Sequence, residues 1–339
     1  MRHFAIFGSH PRLSLAEFRA IRPEIPSPLL LASAAIFETE KWDGGDLMQC
    51  LGGTVKLGDI VATIPTAELT GERLITPPPA PPLKLRGWVR GGALDFGLTI
   101  FGSKKFSKLP IEFKRALKSL GISSRWVTGK GGTEIAPAAV AKLKLMSEGI
   151  DLCLFVVGDV THIGKTTHVQ DADAWSTRDY GRPRRDILAG MLPPKLARMM
   201  VNLATPILQL NKEGGRGVVL DPFCGSGTIL MEAALATDAA RIIGSDSDDE
   251  HISDTRKNIA WLVQNHILTS RDEQRIETCV CDARRLSTKF APRSMTAVVT
   301  EGTLGPPLRG HESHAALERN AREVTELWIA TLKELRPLL

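Results

Sequence analysis

Apolar and polar positions along this chain alternate in short blocks, and the spacing of the blocks predicts both strands and helices. Near the start, an apolar run at residues 4–7 predicts a strand. Ser14 and Glu17 then have the spacing of a capping box, which predicts that a helix opens at Ser14. Two further apolar runs follow, at 29–37 and 59–64. Together these elements predict a small N-terminal α+β unit.

A proline cluster at residues 76–83 separates this unit from the rest of the chain. Proline cannot join the interior of a helix or a sheet, so the cluster predicts a stiff, extended linker and a domain boundary. Beyond it, alternating strands and helices indicate an α/β domain. Its elements are predicted at 96–101, 110–120, 124–127, 136–147, 152–157 and 162–168. We therefore expect one domain over residues 1–76 and a second over 84–170.

The last segment, residues 171–339, predicts a linker followed by a doubly wound sheet. From residue 217 onward the predicted order is β, α, β, α, β, β, α, and the last helix covers about 312–335. Such a sheet normally continues through further strands, so we expect the fourth strand to be an exposed sheet edge and the domain to be incomplete. Either the chain is a fragment of a longer product, which we favour, or a protein partner covers the edge.

Positive charge is concentrated in the middle of the chain. The net charge is −2 over residues 1–80, +8 over 81–170 and −1 over 171–339. A concentration of this kind is typical of a surface that binds a polyanion, although a lysine face that serves solubility has the same composition. The candidate RNA contacts are Lys104, Lys105, Lys114, Arg125, Lys165, Arg178 and Arg182. For Arg178 and Arg182, the alternative is that they fasten the linker to the domain that follows.

The cysteines and the apolar segments limit the class of protein. Five cysteines without a repeated spacing predict neither disulfides nor a zinc site, and we assign no metal ligands. The apolar run at the N-terminus is too short for a signal peptide, and the longest apolar stretch, around 28–37, is too short to span a membrane. We therefore expect a reduced, cytoplasmic protein.

The stretch at 217–228 is the most informative part of the chain. An apolar run ends at Asp221, passes through a loop with two glycines and opens a helix at Thr228, which predicts strand, loop and helix. The glycines let a ligand approach the backbone, and the N–H groups at the helix start favour an anionic group such as a carboxylate. Asp246 lies 19 residues beyond Gly227 and is suited to ribose hydroxyls. A generic glycine turn is the alternative interpretation.

Several stretches together resemble the THUMP-domain tRNA guanosine N2-methyltransferases, which modify guanosine 10. The most specific are 177–195, which resembles the signature before motif I of that family, and 221–228, which resembles motif I itself. Weaker similarity lies at 4–17, 121–127 and 163–170. The resemblance implies an N-terminal ferredoxin-like unit, a THUMP RNA-binding domain over 84–170, and a Rossmann-like methyltransferase domain in 171–339. It also implies S-adenosylmethionine as the cofactor and tRNA as the partner.

The resemblance also implies roles for individual residues around the cofactor. Asp221 and the glycines of the loop would hold the methionine end, Asp246 the ribose, and Asp282 the adenine amino group. The alternative for Asp282 is a cap at the end of a strand. The complete set of implied cofactor-binding residues is Asp221, Phe223, Cys224, Gly225, Gly227, Thr228, Asp246 and Asp282.

The implied catalytic set follows the fourth strand and comprises Glu301, Gly302 and Leu304. Glu301 matches an acidic position that holds the exocyclic amine, whereas Gly302 and Thr303 stand where the family has a proline and then an aromatic residue or a second proline. Leu304 offers an apolar contact to a base that has left its stack. The leading hypothesis is a tRNA guanine-N2-methyltransferase. Two others stay open: a tRNA-binding relative without activity, and an amino-methyltransferase of another RNA or DNA base.

Overall fold

A computed structural model describes residues 1–25, 28–76, 93–129, 134–185, 190–210, 217–308 and 310–339, with side chains throughout except at 205–210. The chain divides into two compact units, Met1–Ala172 and Asp173–Leu339. Apart from Thr76, the proline linker expected at 76–83 lies outside the described residues. Within the described ranges, no helix has the length and apolar character needed to cross a membrane.

One mixed sheet forms the centre of the first unit. Its strands are β1 Arg2–Phe7, β2 Leu29–Leu31, β3 Ala34–Glu38, β4 Thr54–Pro65, β5 Leu94–Phe101, β6 Ser124–Val127, β7 Ile150–Val157 and β8 Val160–Val169. They lie in the order β2-β3-β1-β4-β8-β7-β5-β6. Strand β4 is central because it pairs antiparallel with β1 on one side and with β8 on the other. The residues expected in two separate domains therefore contribute strands to a single sheet.

Two predictions about the helices of this unit are wrong. The described helices are α1 Pro11–Ile21, α2 Gly44–Cys50, α3 Leu109–Ser119 and α4 Pro137–Lys142. Helix α1 begins at Pro11, which suits a first turn, so Ser14 lies within the helix and does not cap it. The Glu17 carboxylate accepts two backbone N–H groups from the loop before β4, at 2.7 and 2.8 Å. The helix expected at 136–147 is shorter because Lys144 has a left-handed φ of +53°.

The second unit contains a four-stranded sheet, with β9 Val218–Asp221, β10 Arg241–Asp246, β11 Ile276–Val280 and β12 Ala297–Val298. The helices are α5 Ala172–Tyr180, α6 Pro194–Leu210, α7 Thr228–Ala236, α8 Asp249–Gln264, α9 Ser270–Glu273 and α10 His314–Leu335. The strands are parallel and lie in the order β11-β10-β9-β12. Their alternation with helices confirms the α/β class expected from residue 217 onward, and β12 lies at one edge of the described sheet.

Both faces of this sheet are covered, as expected for parallel strands. Side chains of α6, α7 and α8 form the core on one face. On the other face, Leu335 and Leu338 near the end of the chain pack against Leu220 of β9 and Ile243 of β10. The backbone N–H of Met295 also donates to the Leu338 carbonyl, at 2.9 Å. Helix α10 is therefore anchored to the sheet through its C-terminal end.

Candidate active site

The loop between β9 and α7 has the backbone conformation that its two glycines predicted. Gly225 and Gly227 have φ values of +51° and +86°, in the left-handed region that favours glycine. A Cβ atom on Gly227 would lie 2.9 Å from Cγ2 of Thr255, so α8 packs closely against this turn. By contrast, no described atom lies within 4 Å of the Cβ position of Gly225. The loop therefore leaves space for a ligand beside Gly225.

Asp221 ends β9 and is buried, with 1% of its surface exposed. Its Oδ1 accepts hydrogen bonds from Thr300 Oγ1 at 2.7 Å and from the Phe223 N–H at 3.2 Å. Burial raises the pKa of Asp221 from its ordinary 3.8 to about 7, and the negative charges of Asp246 and Glu301 act in the same direction. A positively charged ligand nearby would favour the ionised form.

Asp246 ends β10 and joins the glycine loop to helix α8. Its Oδ2 accepts the N–H of Gly225 at 3.0 Å, and its Oδ1 accepts the N–H of Asp248 at 3.0 Å. Nδ1 of His251 lies 3.3 Å from the same Oδ1. Sequence reasoning missed His251, although its place in the first turn of the helix after Asp246 was a usable signal.

Asp282 follows β11, and its side chain caps the turn after that strand, as the alternative interpretation expected. Its Oδ1 accepts the N–H of Arg284 at 2.9 Å, which caps the 3-10 turn Ala283–Thr288. The Arg284 guanidinium also contacts Oδ2 at 2.6 Å, and this hydrogen bond lowers the pKa of Asp282. The side chain nevertheless lines the cavity described next.

A cavity of about 1140 Å³ lies beyond the carboxyl ends of the strands, where open α/β sheets bind their ligands. Of the eight residues expected around the cofactor, seven line it; Gly227 does not, and supports the turn instead. The carboxylates in its wall are Asp221, Asp246, Asp282, Glu301, Glu323 and Glu326. This excess of negative charge favours a ligand that carries positive charge.

The three residues of the expected catalytic set line the same cavity. Glu301 and Leu304 are exposed, Leu304 by 86%, whereas Gly302 is buried. A Cβ atom on Gly302 would lie 2.5 Å from Cζ2 of Trp328 on helix α10. Leu327, the neighbour of that tryptophan, is itself in the cavity wall. Sequence reasoning missed the contribution of α10 because that helix is distant along the chain from the motifs.

Arg182 is buried in the second unit, and Arg178 is partly buried there. The Arg178 guanidinium donates to the buried Glu232 carboxylate at 2.8 Å and lies 4.2 Å from the centre of the Trp175 ring. Arg182 is 3% exposed and donates to Thr228 Oγ1 at 2.7 Å. Neither guanidinium is positioned to meet an RNA phosphate at the surface. This geometry favours the alternative interpretation, in which they fasten the linker to the catalytic domain.

The basic residues of the first unit form a surface on α3 and the loop before it. The apolar side of α3, with Phe113 and Leu117, packs on the sheet, and its opposite side is exposed. The exposed lysines and arginine of this basic face are Lys104, Lys105, Lys108, Lys114, Arg115 and Lys118. Arg125 is paired with Asp95, and Lys165 is half-buried on β8, so these two candidates lie in different surroundings. Lys130, a further basic residue of this segment, lies outside the described residues.

Comparisons with known proteins agree with this geometry. Residues 182–301 match the UPF0020 family model, described as an RMKL-like methyltransferase domain. The chain is 30% identical over 181 residues to a tRNA (guanine(10)-N2)-dimethyltransferase of Methanocaldococcus jannaschii, and the aligned region covers 53% of this chain and 43% of that protein. It is 46% identical over 70 residues to the protein of the same description in Methanothermobacter thermautotrophicus, and that aligned region covers 21% of this chain and 18% of that protein. The chain thus spans less than half the length of these curated relatives.

A solved structure provides the comparison at the level of the fold. TrmN from Thermus thermophilus superposes with a TM-score of 0.53 at 18% identity, over 98% of this chain and 84% of that chain. This likeness confirms the fold class, with a Rossmann-like arrangement in the second unit. The curated relatives confirm the family resemblance that the stretches at 177–195 and 221–228 predicted.

Proposed function

We propose that this protein methylates the exocyclic N2 amine of a guanosine in tRNA, with S-adenosylmethionine as its cofactor, because residues 182–301 match the RMKL-like methyltransferase domain. The observation that carries the proposal is that Glu301 and Asp221 line one cavity. An acceptor for an amine N–H therefore lies in the same chamber as the glycine loop. The names of the curated relatives favour guanosine 10 as the target.

The residues of the cavity fit S-adenosylmethionine. This cofactor supplies, when bound, a methyl group on a positively charged sulfonium. The space beside Gly225 and the N–H groups at the start of α7 suit the carboxylate of its methionine part. Asp246 and Asp282 stand at the ends of successive strands, where they suit the ribose hydroxyls and the adenine amino group. The buried Asp221 is suited to compensate positive charge once it is ionised.

In this proposal Glu301 acts on the RNA side of the cavity. The lone pair of the guanine N2 is delocalised into the ring, so the amine needs an acceptor for its hydrogens. The Glu301 carboxylate would accept such a hydrogen bond, orient the amine for in-line attack and take up the proton that it loses. The guanine must leave its stack to reach the cavity, and the exposed Leu304 offers it an apolar contact.

The first unit is proposed to bind the tRNA. The basic face of α3, which includes Lys104, Lys105 and Lys114, can contact phosphates without reading sequence. The THUMP assignment of residues 84–170 and the boundary at 76–83 stay predictions, as does a cytoplasmic location. The proposed partner at the edge strand β12 is also a prediction.

A second candidate function is tRNA binding without methyl transfer. The observation that favours it is the sequence after Glu301, where Thr303 has no ring to stack on a base and Gly302 lacks the rigidity of proline. The two candidates make the same prediction for RNA affinity and differ in product formation.

The test is to incubate the purified chain with labelled S-adenosylmethionine and an unmodified tRNA transcript, then to identify nucleosides after digestion. We expect N2-methylguanosine or N2,N2-dimethylguanosine, which also distinguishes one transfer from two. A transcript with adenosine at position 10 is the RNA control, and Glu301→Gln is the protein control. Bound tRNA without product would support the second candidate.

Two other outcomes would contradict a tRNA guanine-N2-methyltransferase. Methylation of adenine or cytosine would support the amino-methyltransferase of another base. Equal affinity for tRNA and duplex DNA across a salt series would remove the preference for tRNA, since phosphate contacts alone would then explain binding.

A further inference from the structure

The segment that carries Glu301 rests on helix α10 through two glycines. Gly302 is buried although its neighbours Glu301 and Thr303 are exposed. A Cβ atom on Gly302 would lie 2.5 Å from Cζ2 and 3.0 Å from Cη2 of Trp328, and one on Gly305 would lie 3.3 Å from Cγ2 of Val324. Residues four apart lie on the same side of a helix, so Val324 and Trp328 form one contact surface for this loop.

The same tryptophan contacts the cofactor loop. The rings of Trp328 and Phe223 have centroids 5.4 Å apart and an interplanar angle of 49°. Phe223 lines the cavity, and its Cδ2 would lie 3.2 Å from a Cβ atom on Gly302. The indole therefore touches both the loop that would hold the cofactor and the loop that presents Glu301.

We propose that Trp328 is a positioning residue for methyl transfer: its indole holds the loop at 301–305 against the loop at 222–227, and so fixes Glu301 relative to the cofactor. The inference rests on the proposed function. Its physical basis is that a loop with two glycines has high backbone entropy, which a rigid aromatic contact reduces. Glu301 is exposed, so its position depends on how its backbone is held.

This arrangement also explains why glycine stands at position 302. The indole of Trp328 occupies the space that any Cβ atom, including that of proline, would require. The family restricts this turn with proline, whereas here a tryptophan from a distant helix restricts it from outside. Gly302 and Trp328 are therefore a matched pair, and a change at one is expected to depend on the other.

A role in packing alone makes different predictions. Helix α10 is anchored to the sheet by Leu335 and Leu338, away from the cavity. Shortening the side chain at 328 should therefore leave the helix in place. If Trp328 only fills space, its variants should alter stability and leave the rate of transfer unchanged.

The experiment is a cycle of Trp328→Phe, Gly302→Ala and the double variant in the full chain. The shorter phenyl ring makes room for a Cβ atom at 302. We expect kcat to fall about 100-fold in Gly302→Ala and about tenfold in Trp328→Phe, with at least about tenfold recovery in the double variant relative to Gly302→Ala. Affinity for S-adenosylhomocysteine should change less than about threefold. Trp261→Phe, a half-buried tryptophan on α8, and Ile329→Ala, on an exposed side of α10, are controls.

Additive effects in the cycle, or an unchanged kcat in Trp328→Phe, would overturn the proposal. If the unsubstituted chain itself makes no product, the proposed function fails separately, and hydrogen exchange then tests the positioning. Trp328→Ala should increase amide exchange at 302–305 by at least about tenfold while α7 keeps its protection. Equal exchange in this loop with and without the indole would overturn the inference.

Discussion

Thr300 Oγ1 donates a hydrogen bond to Asp221 Oδ1 at 2.7 Å, and this contact joins the two halves of the candidate site. Asp221 opens the glycine loop, while Thr300 directly precedes Glu301. The carboxylate that would face the cofactor is therefore linked by one hydrogen bond to the segment that would face the RNA. Its ionisation and the position of Glu301 are expected to affect each other.

Asp221→Asn is expected to stabilise the chain at alkaline pH. Because burial raises the pKa of Asp221 from 3.8 to about 7, the folded state holds a proton between these values that the unfolded state has lost. The associated stability is complete below pH 3.8 and is lost as the pH rises through about 7. The loss is on the order of 4 kcal/mol at most. The asparagine side chain of the variant does not ionise, so the variant avoids this loss.

Urea unfolding at pH 5.5 and pH 8 checks this expectation. The difference in free energy of unfolding between Asp221→Asn and the unsubstituted chain should favour the variant more at pH 8, and S-adenosylmethionine should bind the variant more weakly. Using the difference cancels the contribution of other titrating groups. An equal difference at both pH values would show that Asp221 titrates normally.

Thr300→Val is expected to destabilise the chain above pH 7 and to weaken cofactor binding. The substitution keeps the shape and removes the hydroxyl donor, which leaves a buried carboxylate with fewer hydrogen bonds at a cost of about 1–3 kcal/mol. Thermal unfolding and calorimetric titration of S-adenosylmethionine at pH 8 measure both effects. The control is Thr325→Val, an exposed position on α10 where the hydroxyl donates within its own helix. Similar losses in the two variants would contradict a specific role for the contact with Asp221.

Arg198→Ala is expected to cost about 3–5 kcal/mol of stability, because it removes one of two guanidinium partners from a buried carboxylate. Glu232 is 1% exposed and lies 2.8 Å from Arg178 and 2.7 Å from Arg198. The matched control is Arg241→Ala, which breaks an exposed pair with Glu277 and should cost at most about 1 kcal/mol. Chemical unfolding of the two variants gives the comparison. A cost for Arg198→Ala no larger than that of the control would mean that the buried cluster contributes little.

Replacing Lys104, Lys105 and Lys114 with alanine is expected to weaken tRNA binding and to reduce its dependence on salt. Each phosphate contact that is lost should lower the slope of log affinity against log salt by roughly 0.7–0.9. The control is Lys144→Ala, an exposed lysine already paired with Glu148. Fluorescence anisotropy with labelled tRNA over a salt series measures the slope. An unchanged slope in the triple variant would place the RNA on another surface.

The sequence determined the part of the site that is local along the chain. The turn from Asp221 through Gly227 into α7 was predictable because its glycines, its strand and its helix are neighbours in sequence. Asp246 was predictable for the same reason, since strand ends in a βα unit reach the same edge of a sheet. The α/β class followed from alternating apolar runs.

Only the tertiary structure decided which distant residues meet at that edge. The prediction of a capping box at Ser14 was wrong because the Glu17 carboxylate accepts the backbone N–H groups of Gly52 and Gly53, in a loop far along the chain. The charge of Arg178 and Arg182 favoured contacts with RNA. In the structure, Arg178 instead donates to the buried Glu232, and Arg182 donates to Thr228.

Trp328 could not be assigned a role from its surroundings in sequence, since its partners Phe223 and Gly302 come close only when α10 folds back over the sheet. The physical reason is general to these cases. Propensity and spacing act between neighbours along the chain, whereas burial, ion pairing and close packing depend on which distant segments share the same volume.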